Sequence, residues 1–219
     1  MSLTQEELFN PKSAGSDENK KLLQMRDDLE KTAARTSTRM TAKPIIYLDL
    51  ETQRTADDAG GWDKLHKMGV SVAVALTSNE LRVFTEKDIK GIVPLLESAK
   101  SVVGFNILRF DFKVLAGYQG IDLSKVKAVD MMVDVSEVSG HRIGIDALVE
   151  ATLGITRDIN GLDMVELWKK GRLEKVIEGC CNDVLMMKAL HEYGCEHGKV
   201  FYYPEGSKRR KSIAVKWSK

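Results

Sequence analysis

Four carboxylates stand at or near the ends of apolar segments, where a soluble fold has little use for charge. Asp49 and Glu51 close the run IIYLDLET (45–52), whose apolar residues read as a buried β-strand. Residues two apart on a strand project from the same side of a sheet. Two anions held that way repel each other and resist burial. A divalent cation resolves both costs, and hard oxygen ligands suit Mg²⁺ or Mn²⁺. A strand end fraying into solvent is the alternative for Asp-x-Glu taken alone. In SVVGFNILRFD, Asn106 ends a second apolar strand and Asp111 falls in the first turns of a helix, where an anion is favoured. A helix-start role for Asp111 fits equally. Asp183, in GCCNDVLMMKAL, lies between the core positions Cys180, Val184 and Met187, at the margin of a buried helical face or turned to solvent.

The elements that must position these groups follow from periodicity. After the first strand come strands over 71–78 and 80–85, with a tight turn near Ser78-Asn79. KDIKGIVPLLESAK is a helix whose start is limited, or whose axis is bent, by Pro94. SVVGFN (101–106) is a strand and FDFKVLAGY a helix. MMVDVSEV, GIDALVEATLG and GLDMVELWKKG read as short helices with Gly or Asp at an end. LEKVIEGCCNDVLMMKALHEYG is one long helix, with apolar residues at near-helical period from Val176 to Leu190. VFYYPEGSKRRKSIAVKW reads as a hairpin turning at Glu205-Gly206. Strands first, then strand–helix alternation, then helices, is an α/β pattern with a mixed sheet.

Residues 1–43 form an N-terminal extension. It is polar and turn-rich to Lys20, then carries a narrow apolar stripe (Leu22, Met25, Leu29) expected on a short helix. Residues 44–219 form the main domain. The chain of 219 residues, 43% hydrophobic, can bury a core without disulfides. Cys180, Cys181 and Cys195 are odd in number and share one helical stretch, so they read as packed thiols rather than a disulfide framework or zinc site. No apolar run approaches a membrane span, and MSLTQEELFN has no signal-peptide core. A cytoplasmic protein is expected. Residues 44–198 carry net charge −6, while residues 199–219 hold seven basic residues against one acidic. An acidic body with a basic tail fits carboxylates gathered for metal plus a segment able to touch phosphate; a merely solvated tail is the alternative.

Taken in order, DLET, GFNILRFD and CNDVLMM resemble the three motifs of the DEDD-type 3′–5′ exonuclease superfamily, and most closely a predicted bacterial group with helicase-associated relatives. GGWDKLHKMGVSVAVALT, GHRIGIDALVEATLG and YYPEGSKRRKSIAVKW resemble that group as well, so the likeness spans residues 44–216. It implies an RNase H-like mixed five-stranded sheet flanked by helices. It also implies that Asp49, Glu51, Asp111 and Asp183 together hold two Mg²⁺ or Mn²⁺ ions for stepwise hydrolysis of DNA or RNA from single-stranded or frayed 3′ ends. A helicase or another protein is an implied partner. Asp49 would bridge the ions, Glu51 would help orient water, and Asp111 and Asp183 would complete the ligand set.

The chain departs from the superfamily at one point. Tyr four residues before the last Asp, or His five before it, is the usual general base; here those positions are Gly179 and Glu178. The missing ring is expected to leave a gap beside Asp183, and a module that binds without efficient catalysis is the alternative function. Around the motifs, Thr52 and Gln53 could meet the terminal nucleotide, and Asn106 could contact substrate or orient Asp111. His141 could face the cleft. Trp62 could stack on a base or pack beneath a loop. Lys208, Arg209, Arg210 and Lys211 could track phosphate.

Overall fold

The computed structural model describes residues 43–78, 80–156 and 161–218. The expected N-terminal helix and the turn at Asn79 lie outside the described residues.

Strand β1 (Ile45–Thr52) is central in a five-stranded sheet of order β3-β2-β1-β4-β5. β2 (Val70–Leu76) runs antiparallel to it, and β3 (Leu81–Phe84) antiparallel to β2. β4 (Ser101–Gly104) and β5 (Ala128–Asp130) lie parallel on the other side. The sheet is therefore mixed, as the strand–helix alternation requires. The second strand begins at Val70 and ends at Leu76, earlier than the 71–78 expected. β5 was not legible in the sequence. Its three residues run straight into a helix, too few to show alternation.

Helices cover both faces. On the first lie α1 (Ala56–Ala59), a 3₁₀ segment (Trp62–Lys67), α2 (Ile92–Ser98) and α3 (Asp111–Leu115). Their apolar side chains pack with Ile46, Leu48 and Leu50 of β1. The opposite face carries α4 (Met131–Ser139), α5 (Ile145–Leu153), α6 (Gly161–Lys169) and the long α7 (Leu173–His197). These bury Tyr47, Val72, Val74 and Val103. Alternation along β1 thus sends Ile46, Leu48 and Leu50 one way and Tyr47, Asp49 and Glu51 the other, towards α7.

After α7 the chain turns at Gly198 into a hairpin of β6 (Lys199–Tyr202) and β7 (Lys211–Ala214). The hairpin is strapped to the body. Val215 donates its N–H to the Gly198 carbonyl (3.0 Å), and the Trp217 indole donates to Asp134 (2.8 Å) and stacks on buried His191. None of the described helices is long and apolar enough to cross a membrane.

One close approach sets the site's surroundings. A Cβ on Gly117, just past α3, would collide with the His66 carbonyl, so glycine there lets the 3₁₀ segment after β1 lie directly against the end of α3.

Candidate metal centre

β1 outruns its parallel neighbour. β4 pairs with Ile45, Ile46 and Tyr47 and then ends at Gly104, while β1 continues to Thr52. Asp111 enters where the ladder stops: it is 4% exposed, and the backbone N–H groups of Leu50 and of Asp111 itself favour its charged form. On the α7 side, Asp49 and Glu51 meet Asp183. Ligand oxygens of these three residues all lie within 4.8 Å of one another, with Glu51 and Asp183 buried and Asp49 half-buried. Asp183 is therefore not turned to solvent. It shares a helix face with Cys180, three residues earlier, whose thiol lies 3.6 Å from both the backbone oxygen and Oδ2 of Asp49.

Three of the four expected acids thus form one cluster, and Asp111 stands beside it on the Asp49 side. Burial, then the charge of Asp49, push the Asp111 carboxyl well above the usual carboxylate range; Asp130 adds to this, and the two backbone N–H groups offset part of it. The Cys180 thiol is pushed up by burial and by Asp49, Glu51 and Asp183, as expected of a group inside a nest of negative charge. At an effective dielectric near 20, two anions at such spacing repel by roughly 3–4 kcal/mol. A hard divalent cation fits this donor set, since it replaces repulsion by attraction and asks only for carboxylate oxygens.

One acid was missed. Asp130 ends β5, caps α4 through the N–H groups of Met132 (3.1 Å) and Val133 (3.4 Å), and also accepts from Asn106 N (2.9 Å) and Leu108 N (3.1 Å). One carboxylate therefore ties the turn that delivers Asp111 to the start of the next helix. An Asp just before a helical run is the sequence signal for such a cap; its grip on residues 106–108 is long-range and leaves none.

The remaining candidates divide. Asn106 sits at φ 62°, an uncommon conformation in which Asn is among the favoured residues, and its Oδ1 accepts from Arg142 (3.0 Å). It shapes the turn before Asp111. Thr52 is buried and donates to the Arg54 carbonyl (2.9 Å); Gln53 donates to Val70 O (2.9 Å) and to Glu86 (2.8 Å). Both side chains fasten the end of β1. His141 is exposed, hydrogen-bonds Ser139 O, and meets the Tyr202 ring edge-on at 5.8 Å, which engages it with the hairpin. Lys208, Arg209, Arg210 and Lys211 lie exposed on that hairpin, and the Arg210 guanidinium is held over Phe201 (4.6 Å) and by the Ala151 carbonyl (3.0 Å).

The expected gap at Gly179 does not exist. The thioether end of Met164 of α6, itself 1% exposed, fills the space where a side chain on Gly179 would begin. Glu178 is paired with Lys175 (2.7 Å). Glycine here is the condition for α6 to seat its methionine against α7.

No protein-family model matches the chain, and no curated protein matches it significantly.

Two outcomes follow. Met164→Ala should cost about 2–5 kcal/mol. Gly179→Ala should cost about 1–3 kcal/mol from overpacking, less about 1 kcal/mol regained in helix propensity. Urea unfolding of the double variant should show a loss smaller than the sum by about 1 kcal/mol or more; strict additivity would contradict the packing. The second concerns pH. A carboxyl whose folded pKa is raised binds its proton more tightly when folded, so stability falls as pH rises from the unfolded value, about 4, towards the folded one. In EDTA, Asp111→Asn should therefore gain stability over the wild type progressively above pH 4. Parallel stability curves for the two proteins would contradict the assignment.

Proposed function

We propose that this chain is a metal-dependent 3′–5′ exonuclease of the DEDD type, acting on DNA or RNA. The observation that carries the proposal is the convergence of Asp49, Glu51 and Asp183 within 4.8 Å at the edge of the central strand, with buried Asp111 beside them. Asp49, Glu51 and Asp183 would hold one divalent cation, and Asp49 with Asp111 a second. Bound there, such ions lower the pKa of water and neutralise charge on a phosphodiester. The chain's own residues fix the geometry. Asp49 is anchored by the β1–β2 ladder and faces the Cys180 thiol. The turn before Asp111 is held by Asp130.

The position of the usual general base is occupied by a methionine methyl. Such a base is typically worth about 10²–10⁴ in rate, so hydrolysis should be slow and should quicken with pH as hydroxide becomes available. Placing a phenol by Gly179→Tyr requires truncating Met164 in the same protein. The same methionine favours a second reading, a nucleic-acid-binding module with little or no hydrolysis.

Digestion of 5′-labelled and 3′-labelled oligonucleotides, DNA and RNA, separates the two. The exonuclease should shorten the 5′-labelled strand progressively and release the 3′ label first as a mononucleotide. Activity should be stronger in Mn²⁺ than in Mg²⁺, rise from pH 6 to 9.5, and vanish in EDTA or with Asp49→Ala. Intact strands in the presence of bound Mn²⁺ across that range would leave the binding module as the function.

A further inference from the structure

Within one turn, α7 brings two polar side chains to β1: the Asp183 carboxylate and, three residues earlier, the Cys180 thiol. Residues three apart share a helix face, so the crossing that delivers Asp183 to the cluster also sets Cys180 against Asp49. Cys180 Sγ lies 3.6 Å from Asp49 Oδ2 and 3.6 Å from the Asp49 backbone oxygen. The residue is completely buried. A thiol, with an ordinary pKa of about 8.5, carries its proton at neutral pH, and S–H is a weak donor. Both of its acceptors belong to one residue. The first bond fixes which way the carboxylate turns, and the second fixes where the strand lies. The parallel ladder with β4 ends at Tyr47, two residues before Asp49. Beyond that point the β1 backbone is paired with β2 alone, and ladder bonds do not orient a side chain. Three like charges within 4.8 Å favour rotation of each carboxylate away from the others. A donor fixed on α7 opposes that rotation at Asp49. Hydrogen bonds to an ionised acceptor are about twice as strong as neutral ones, so even a thiol serves. A carboxylate offers about four lone-pair positions, and one bond from sulfur leaves Asp49 able to take a cation.

We infer that Cys180 is a positioning residue of the metal centre: its S–H holds the Asp49 carboxylate in the orientation a cation needs, and its sulfur does not ligate the ion. The inference rests on the reading of Asp49, Glu51 and Asp183 as metal ligands and deepens it. Among the described residues, the group whose ligand atoms lie within 4.8 Å of one another holds the three carboxylates and not the Cys180 sulfur. The thiol therefore stands behind one ligand rather than among them, and the oxygen set keeps its fit to a hard ion. An apolar side chain of similar size would fill the same space but would donate nothing to Asp49. Groups that orient a metal ligand from behind typically account for about 10–100-fold in metal affinity.

Calorimetric titration of Mn²⁺ into the full chain tests it, with Cys180→Ala and Cys180→Ser beside the wild type. Cys180→Ala removes the donor and should weaken Mn²⁺ binding about 10–100-fold. Cys180→Ser keeps a donor in nearly the same place and should recover most of that affinity. Both substitutions shrink the side chain, so a thiol that only filled space would make the two variants alike. Raman spectra of the S–H stretch add a readout that needs no substitution. Cys180, Cys181 and Cys195 are all thiols and each contributes an S–H band. Mn²⁺ should shift one of these bands, as the charge on its acceptor is neutralised, and that band should be the one missing from Cys180→Ala. Equal Mn²⁺ affinity in the wild type and Cys180→Ala would overturn the inference. So would equal weakening by Ala and Ser, or S–H bands that Mn²⁺ leaves unmoved. Disappearance of one S–H band on Mn²⁺ binding would overturn it too, because sulfur would then be a ligand. The two readings fail separately. A wild type that binds no Mn²⁺ removes the metal centre and this inference with it; Mn²⁺ binding indifferent to Cys180 removes the inference alone.

Discussion

The repulsion among like-charged carboxylates at the end of β1 is the constraint around which the molecule is built. Nothing in folding favours placing Asp49, Glu51 and Asp183 within 4.8 Å and burying Asp111 beside them. The scaffold holds them there by stronger means. β1 is clamped along its length by β2 and for three residues by β4. The long α7 crosses behind it, with Val176, Ile177, Cys180, Val184 and Met187 buried. Asp130 fixes the turn before Asp111 with two backbone N–H groups on each side. A site of this kind spends part of the fold's stability on preorganisation, and a cation returns it when bound.

The same scaffold explains the glycine one turn before Asp183. In α7 the residue one turn before Asp183 is glycine, and α6 uses that notch to seat Met164. The packing is apolar and closed, so on the nuclease reading deprotonation of an attacking water would fall to bound cations and to solvent. On the nuclease reading the consequence would be a slow enzyme; on the binding-module reading, a protein with little or no turnover.

Much of this was legible from the chain alone. Local patterns reported local facts: IIYLDLET read as a strand with both acids on one side, the helices over 131–138, 144–154 and 161–171 were bounded by Gly and Asp, and the terminal hairpin turned where Glu205-Gly206 stand. What escaped was long-range. β5 is three residues long and carries no alternation. Asp130 declares itself as a helix cap but not as the clasp on Asn106 and Leu108. Gly179 reads as an absence until Met164 is brought against it from another helix. The partners of Gln53, Val70 O and Glu86, come from distant parts of the chain and leave no local signal. Trp62 could be read either as packed or as open; it leans on the Phe110 ring yet stands 71% exposed, and only the position of α3 decides.

Thermal melting of the wild type and Asp49→Asn, each in EDTA and in Mn²⁺, tests the account at its centre. Without metal the substitution removes a repelling charge and should raise the melting temperature above that of the wild type. With Mn²⁺ the wild type should gain several degrees and the variant little, so that the order inverts. A wild type already more stable than the variant in EDTA, with Mn²⁺ moving both equally or neither, would contradict it.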